Sequence, residues 1–591
     1  MTFGRTSRVQ EALDHPEARA VLERALPGLA DHPSLDMIRG LPIRVLIDRL
    51  AATADDEAKA ARLWEELAAI ETPATPDVEA PAILPRSDYE SDLVVEGSAA
   101  TTFPRSASKW STFEIRIAGP SHGNPFTDVE LTALFDTDGH TTEVDGFYDG
   151  DGQWVLRFLP EATGRWSFRT TSTARSLHAL TGEFEVSEAL AGDHGPVRAD
   201  GFHFAHADGT RHTPLGTTAY AWIHQPADVR AATLRTLASA PFTKLRMTVF
   251  PKGYLYNSNE PELFPFAGDS TGGFDHTRFN PAFFRHLEAT IVELGQLGIE
   301  ADVILFHPYD RWGFADLGRA ADDRYVQYVV RRLSAIPNVW WSMANEYDLI
   351  AAKTESDWER LAAVVRANDP VRHLQSIHNG LTFYDQSREW ITHASVQRTD
   401  TYRTAENVDE WRRTWGKPVV VDECGYEGNL EYSWGNISGQ ELTRRFWEGA
   451  VRGGYVGHGE TYYRDDEQIW WAKGGLLTGE SPARIQFLRR IIEEAPGGVL
   501  EPLARGDAPQ AGIAGEFYLT YFGFNRPYFY DATLPAGKEY RVDVIDTWNM
   551  TIDPLPATYR DRVRVDLPSR EYLAVRVVAV DRPAEPGTHA A

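Results

Sequence analysis

The sequence predicts a multidomain α/β chain: a (β/α)8 TIM barrel flanked by an N-terminal helical module, a β-sandwich and a C-terminal β-sandwich. Three observations predict it. The 591 residues give room for several domains of about 150 residues each. From about Val197 to Pro496, short apolar runs alternate with amphipathic helical stretches, as in successive strand–helix units. On both sides of that stretch the apolar period is 2, the mark of half-buried strands.

Residues 1–72 read as a helical module. Val9, Leu13, Val21, Leu22, Leu26 and Leu29 fall near helical spacing, broken at Pro16 and Pro27. Ile38, Leu41, Leu46 and Ile47 make a second stripe, and Thr53 offers an N-cap before Leu63, Leu67 and Ile70. The module suits packing on the next domain or an interaction surface. Pro73, Pro76, Pro81 and Pro85 mark residues 73–100 as an extended linker, because proline fixes φ and removes a donor. Residues 101–190 read as a β-sandwich. Phe113, Ile115 and Ile117 alternate with polar residues, as do Leu131, Ala133 and Phe135, with Gly/Asp turns between such runs.

The barrel is expected over residues 195–496. Its candidate strands are His212–Ala219, Thr243–Phe250, Glu300–Phe306, Val339–Ala344, His373–Ile377, His393–Gln397, Pro418–Asp422 and Gly454–Val456. Helices between them are punctuated: Asn280-Pro281 opens one and Gly298 stops it. A doubly wound open sheet is disfavoured, because no Gly-rich phosphate loop follows the first strand. Residues 497–582 return to alternation at Phe517, Leu519 and Tyr521, then Tyr540, Val542 and Val544. The tail 583–591, rich in Pro and Ala, is expected to be loose.

Composition narrows the function. The net charge of −27 speaks against a nucleic-acid partner, since phosphates need a concentrated positive field. The single cysteine, Cys424, excludes an intramolecular disulfide framework and a Cys-rich zinc site. No His-Glu-x-x-His spacing occurs, so neither a catalytic metal nor another cofactor is expected. No run of 18 apolar residues suggests a membrane helix. The first residues lack an apolar core and cleavage site, and a cytoplasmic location is expected. The 17 tryptophans point weakly to a carbohydrate partner, and homo-oligomerisation stays open.

The chemistry is read at strand ends, because barrel active sites lie at the C-terminal ends of the strands. The fourth apolar run ends in Asn345-Glu346 and the seventh in Asp422-Glu423. Two carboxylates at opposed strand ends are what a retaining glycosidase needs. One donates a proton to the leaving oxygen and the other attacks the anomeric carbon. Asn345 beside the acid can hydrogen-bond the sugar 2-OH, a contact that strengthens in the transition state.

Asn345-Glu346 and Glu423 in these places resemble clan A of the glycoside hydrolases, which are (β/α)8 retaining enzymes. Trp110-Ser-Thr-Phe-Glu-Ile, Gly123-Asn-Pro-Phe-Thr-Asp128, Leu245-Arg-Met-Thr-Val-Phe-Pro-Lys252 and His458-Gly-Glu-Thr-Tyr462 resemble a bacterial group with a sandwich before the barrel. Apiosidase-type enzymes are relatives of that group. The resemblance implies Glu346 as acid/base and Glu423 as nucleophile. It implies a tyrosine against the nucleophile, for which Tyr402 past strand six is the candidate. Arg246 could neutralise the nucleophile. His307, His378, Asn379 and His458 could donate to sugar hydroxyls, and Glu460 could recognise them. Trp222 and Trp470 are candidate stacking platforms. The expected function is a retaining, exo-acting glycoside hydrolase on small glycosides or oligosaccharides. The alternatives are a non-catalytic carbohydrate-binding protein on a barrel scaffold and a transglycosylase using the same carboxylates.

Overall fold

The computed structural model describes residues 2–5, 7–31, 35–48, 54–71, 82–254, 256–504 and 506–580. Thr53, the linker prolines Pro73, Pro76 and Pro81, and the tail 583–591 lie outside the described residues. The central sheet has eight strands: β1 (Gly216–Thr218), β2 (Lys244–Thr248), β3 (Glu300–Phe306), β4 (Val339–Ala344), β5 (Gln375–Ser376), β6 (Ala394–Gln397), β7 (Val419–Glu423) and β8 (Tyr455–His458). Their order is β5-β4-β3-β2-β1-β8-β7-β6. That is the circular order of a (β/α)8 barrel, interrupted between β5 and β6, and it rules out a doubly wound sheet. The result is a nearly closed parallel barrel.

The chain forms two compact units. The first comprises Met1–Val197, Tyr220–Ala227 and Arg246–Ile391. Its sandwich has a four-stranded sheet built on Phe113–Ala118 and Gln153–Phe158 and a five-stranded sheet built on Leu131–Thr137 and Gly164–Ser172. Alternation does the sorting: Phe113, Ile115 and Ile117 are buried, whereas Arg116 is exposed. The barrel helix Pro281–Gln296 starts where Asn280 Oδ1 accepts the Ala282 N–H at 3.1 Å, and it buries Phe284, Leu287, Ile291 and Leu294. Sandwich and barrel meet through buried charge. Arg157 of the sandwich pairs with Glu288 at 2.8 Å and donates to the Arg332 carbonyl at 2.8 Å. Glu288 also pairs with Arg332.

The helical module has its own core of Val9, Leu13, Leu22, Leu29, Ile43, Ile47, Leu63 and Leu67. It also touches the barrel: Leu41 and Val45 pack on Leu349.

The second unit comprises Arg198–Ala219, Asp228–Leu245 and Thr392–Ala591. Its C-terminal domain has a five-stranded antiparallel sheet centred on Leu573–Val580 and a two-stranded sheet of Phe529–Thr533 with Arg562–Asp566. Tyr540, Val542, Val565 and Val575 are among the residues of its core. Among the described residues, no helix is long and apolar enough to cross a membrane.

Candidate active site

In the first unit, β4 delivers Asn345 and Glu346 just past its last residue. Val339–Ala344 is wholly buried, so the strand is held on both faces and its end is fixed. Glu346 is 7 % exposed and has φ 51°, ψ 53°. This left-handed backbone costs a non-glycine residue about 1–2 kcal/mol. Such strain persists only where surrounding contacts over-determine it.

Asn345 is oriented by three neighbours. Its Oδ1 accepts from the Tyr220 hydroxyl at 3.0 Å and from Arg246 Nη2 at 3.1 Å. The amide therefore presents Nδ2, which donates to Glu346 Oε2 at 3.2 Å. Arg246 also donates to the Tyr220 hydroxyl at 3.3 Å and lies 3.5 Å from Asp302 of β3. The guanidinium is thus an anchor for Asn345 with a carboxylate beside it.

The turn after Glu346 is tied to the end of β5. Tyr347 donates its N–H to the His378 carbonyl at 2.9 Å, and the His378 N–H goes to Ala344 at 3.1 Å. His378 and Asn379 are both buried next to that turn. The buried His307, at the end of β3, has Nε2 3.1 Å from the Phe250 carbonyl. Burial, with Lys252 nearby, pushes its pKa down to about 3, so it is neutral near pH 7. The Lys252 ammonium sits 3.9 Å from the centre of the Tyr220 ring and 4.4 Å from that of Tyr309. Trp222 is fully buried in the turn Trp222–His224, which leaves no ring face open for stacking.

In the second unit, β7 ends in Asp422 and Glu423. Glu423 is 7 % exposed, and its carbonyl accepts the Arg398 N–H at 2.8 Å. Asp422 accepts from Lys244 Nζ and from Ser395 Oγ, each at 2.6 Å, in a buried ion pair. The pairing of β6 with β7 shifts register there: Val396 faces Val421 and Gln397 faces Glu423, so Asp422 sits at an irregularity just before the strand ends. His458 and Trp470 converge on Thr217, at 2.8 Å and 2.9 Å from its Oγ1. Burial pushes the His458 pKa down to about 3, so it too is neutral. Glu460 accepts the N–H groups of Thr478 and Gly479 at 2.7 and 2.8 Å, the contacts of a loop anchor. Tyr402 lies past β6, but its side chain is 84 % exposed. Asp400 gathers the N–H groups of Tyr402 and Arg403 into a local turn that turns the ring outward.

The structure thus joins Arg246, Asn345 and Glu346 in one network, and His458 with Trp470 in another. Sequence reasoning missed Asp302, the role of the Tyr220 hydroxyl and the Lys244–Asp422 pair. The available signal was the Lys-x-Arg-x-Thr alternation inside β2, which places charges on one face of an otherwise apolar strand.

Residues 199–475 match the family described as "Apiosidase-like, catalytic domain". Residues 106–173 and 506–578 match two domain families of unknown function, DUF5060 and DUF5605. No curated protein matches the chain. A crystal structure of a protein from Bacteroides vulgatus ATCC 8482, assigned as a glycoside hydrolase, is 39 % identical. The match covers 81 % of this chain and 100 % of that one, with a TM-score of 0.77. A glycoside hydrolase family 5 structure from the same organism shares the fold alone, at 16 % identity, 66 % and 95 % coverage and a TM-score of 0.52. With an apiosidase-like catalytic domain, this chain belongs to the same family as the Bacteroides vulgatus glycoside hydrolase, and it is a glycosidase.

Proposed function

We propose that this glycosidase acts by double displacement with retention of anomeric configuration. Glu423 attacks the anomeric carbon and Glu346 protonates the leaving oxygen. Water, activated by Glu346, then releases the sugar from Glu423. The observation that carries the reading is the pair of nearly buried glutamates, each at the C-terminal end of a strand of one parallel barrel. The Asn345 amide, held by Tyr220 and Arg246, supports the assignment of Glu346, because it sets the acid and a 2-OH donor side by side.

The substrates proposed are small glycosides or oligosaccharides cleaved from one end. The motive is the long loop after β2, which folds back as the hairpin Phe266–Asp269 with Gly273–Phe279 and buries Phe264 and Phe266. The apiosidase-like match makes branched pentofuranosides the first sugars to test.

A screen of aryl furanosides and pyranosides, apiosides included, identifies the sugar. Proton NMR of the first-formed anomer then tests retention; an inverted product refutes it. Glu423→Gln should abolish turnover while sugar binding persists. Unchanged turnover in that variant would remove Glu423 from the reaction.

A further inference from the structure

We propose that the N-terminal helical module braces the acid/base turn: its docking on Tyr347–Leu349 holds Glu346 in the backbone conformation that proton donation needs. This rests on the reading of Glu346 as acid/base. The module precedes the first family match, which begins at residue 106. It has two apolar faces. Ile43 and Ile47 belong to its own core, whereas Leu41 and Val45 form a separate cluster with Leu349, against which Ile38 also packs. Leu349 lies three residues past Glu346.

Polar contacts fix the same spot. The Arg44 guanidinium donates to the Asp348 carbonyl, in the residue before Leu349. The Asp348 carboxylate in turn accepts the N–H groups of Gly380, Leu381 and Thr382 at 2.5, 2.9 and 2.9 Å. These residues follow His378 and Asn379 directly. On the neighbouring loop after β3, Arg8 pairs with Asp316. The module thus grips the loops after β3 and β4, and through Asp348 the loop after β5. The gripped turn begins at a residue whose φ of 51° is unfavourable for a side chain bearing a Cβ. Something outside the turn must hold that conformation. Leu41, Arg44 and Val45 are positioning residues in this scheme and touch no reacting atom.

The test uses the full-length protein and two glycosides of the sugar returned by the aryl-glycoside screen: phenyl and 2,4-dinitrophenyl. Dinitrophenolate departs without a proton, so its release does not depend on the acid; phenol release does. The variants are Leu41→Glu with Val45→Glu, Arg44→Ala, and the conservative Arg44→Lys. Hydrogen exchange over residues 38–48 and 347–350 reports undocking. Expected for the double variant and for Arg44→Ala is a fall in kcat/KM of tenfold or more on the phenyl glycoside. The dinitrophenyl value should stay within about twofold, and Arg44→Lys should keep most activity. Equal losses on both substrates, or undocking with no loss, overturn the proposal. If the double variant does not fold, Arg44→Ala alone decides it. Glu346→Ala is the control: if it fails to show the same split between substrates, the acid/base assignment fails and not the brace.

Discussion

Glu300 opens β3 and is buried, with one oxygen accepting the Trp340 indole N–H at 2.9 Å. Burial pushes its pKa up from 4.5 to about 8, against the weaker pull of that hydrogen bond. The native carboxyl is therefore protonated at neutral pH while the unfolded chain is ionised. Between pH 4.5 and about 8 the folded state binds the extra proton, so stability falls as pH rises. The slope is about 1.4 kcal/mol per pH unit, and the whole window amounts to about 5 kcal/mol. Below pH 4.5 the group is neutral in both states and the loss vanishes; above about 8 it is complete. Glu300→Gln removes the titration and keeps an oxygen for Trp340. The new amide N–H groups can impose a cost of about 1–3 kcal/mol, but one that does not vary with pH. The prediction concerns the change with pH: relative to wild type, Glu300→Gln should gain several kcal/mol between pH 5 and pH 8.5. Urea unfolding followed by tryptophan fluorescence at both pH values measures it. A wild-type/variant difference that is constant across pH, or that moves in favour of the wild type, would mean that the Glu300 carboxyl is not held protonated in the folded protein.

Two further predictions rest on other buried polar clusters. Burial opposes ionisation of Glu288, but Arg157 and Arg332 outweigh it and hold its carboxyl below the usual range. Glu288→Ala should cost about 1–3 kcal/mol through the lost charged hydrogen bonds, because Arg157 keeps Glu114 at 2.7 Å and Arg332 keeps Asp149 at 2.8 Å; calorimetry should show a lower thermal midpoint. The wild-type contribution of Glu288 should be present above pH 4.5 and fade as pH falls below it. Tyr220→Phe deletes the hydroxyl that holds Asn345 Oδ1, leaving Arg246 as that oxygen's remaining anchor within this network. A loss of about 1–2 kcal/mol in transition-state binding, or roughly tenfold in kcat/KM, is expected with little change in thermal midpoint.

What the sequence shows and hides follows from range. β3 and β4 occupy the same residues as the apolar runs that predict them, because strands buried on both faces read as continuous apolar segments. β1 and β5 shrink to Gly216–Thr218 and Gln375–Ser376, since pairing extends only as far as a neighbour offers ladder partners. The position of Glu346 just past β4 and of Glu423 at the end of β7 is legible because a carboxylate closing an apolar run is a local pattern. Tyr402 is not: the Asp400 turn that exposes it is made of short-range hydrogen bonds that no strand periodicity encodes. Nor is the Asn345 network legible, whose members Tyr220, Arg246 and Asp302 come from β1's end, β2 and β3. Leu41 and Val45 make the point most sharply. Helical spacing puts Leu41 in one stripe with Ile47 and leaves Val45 out, yet Leu41 packs with Val45 on Leu349 while Ile47 joins the module's own core. A helix pattern states that a face must be covered; only the folded chain states that the cover is the turn carrying Glu346.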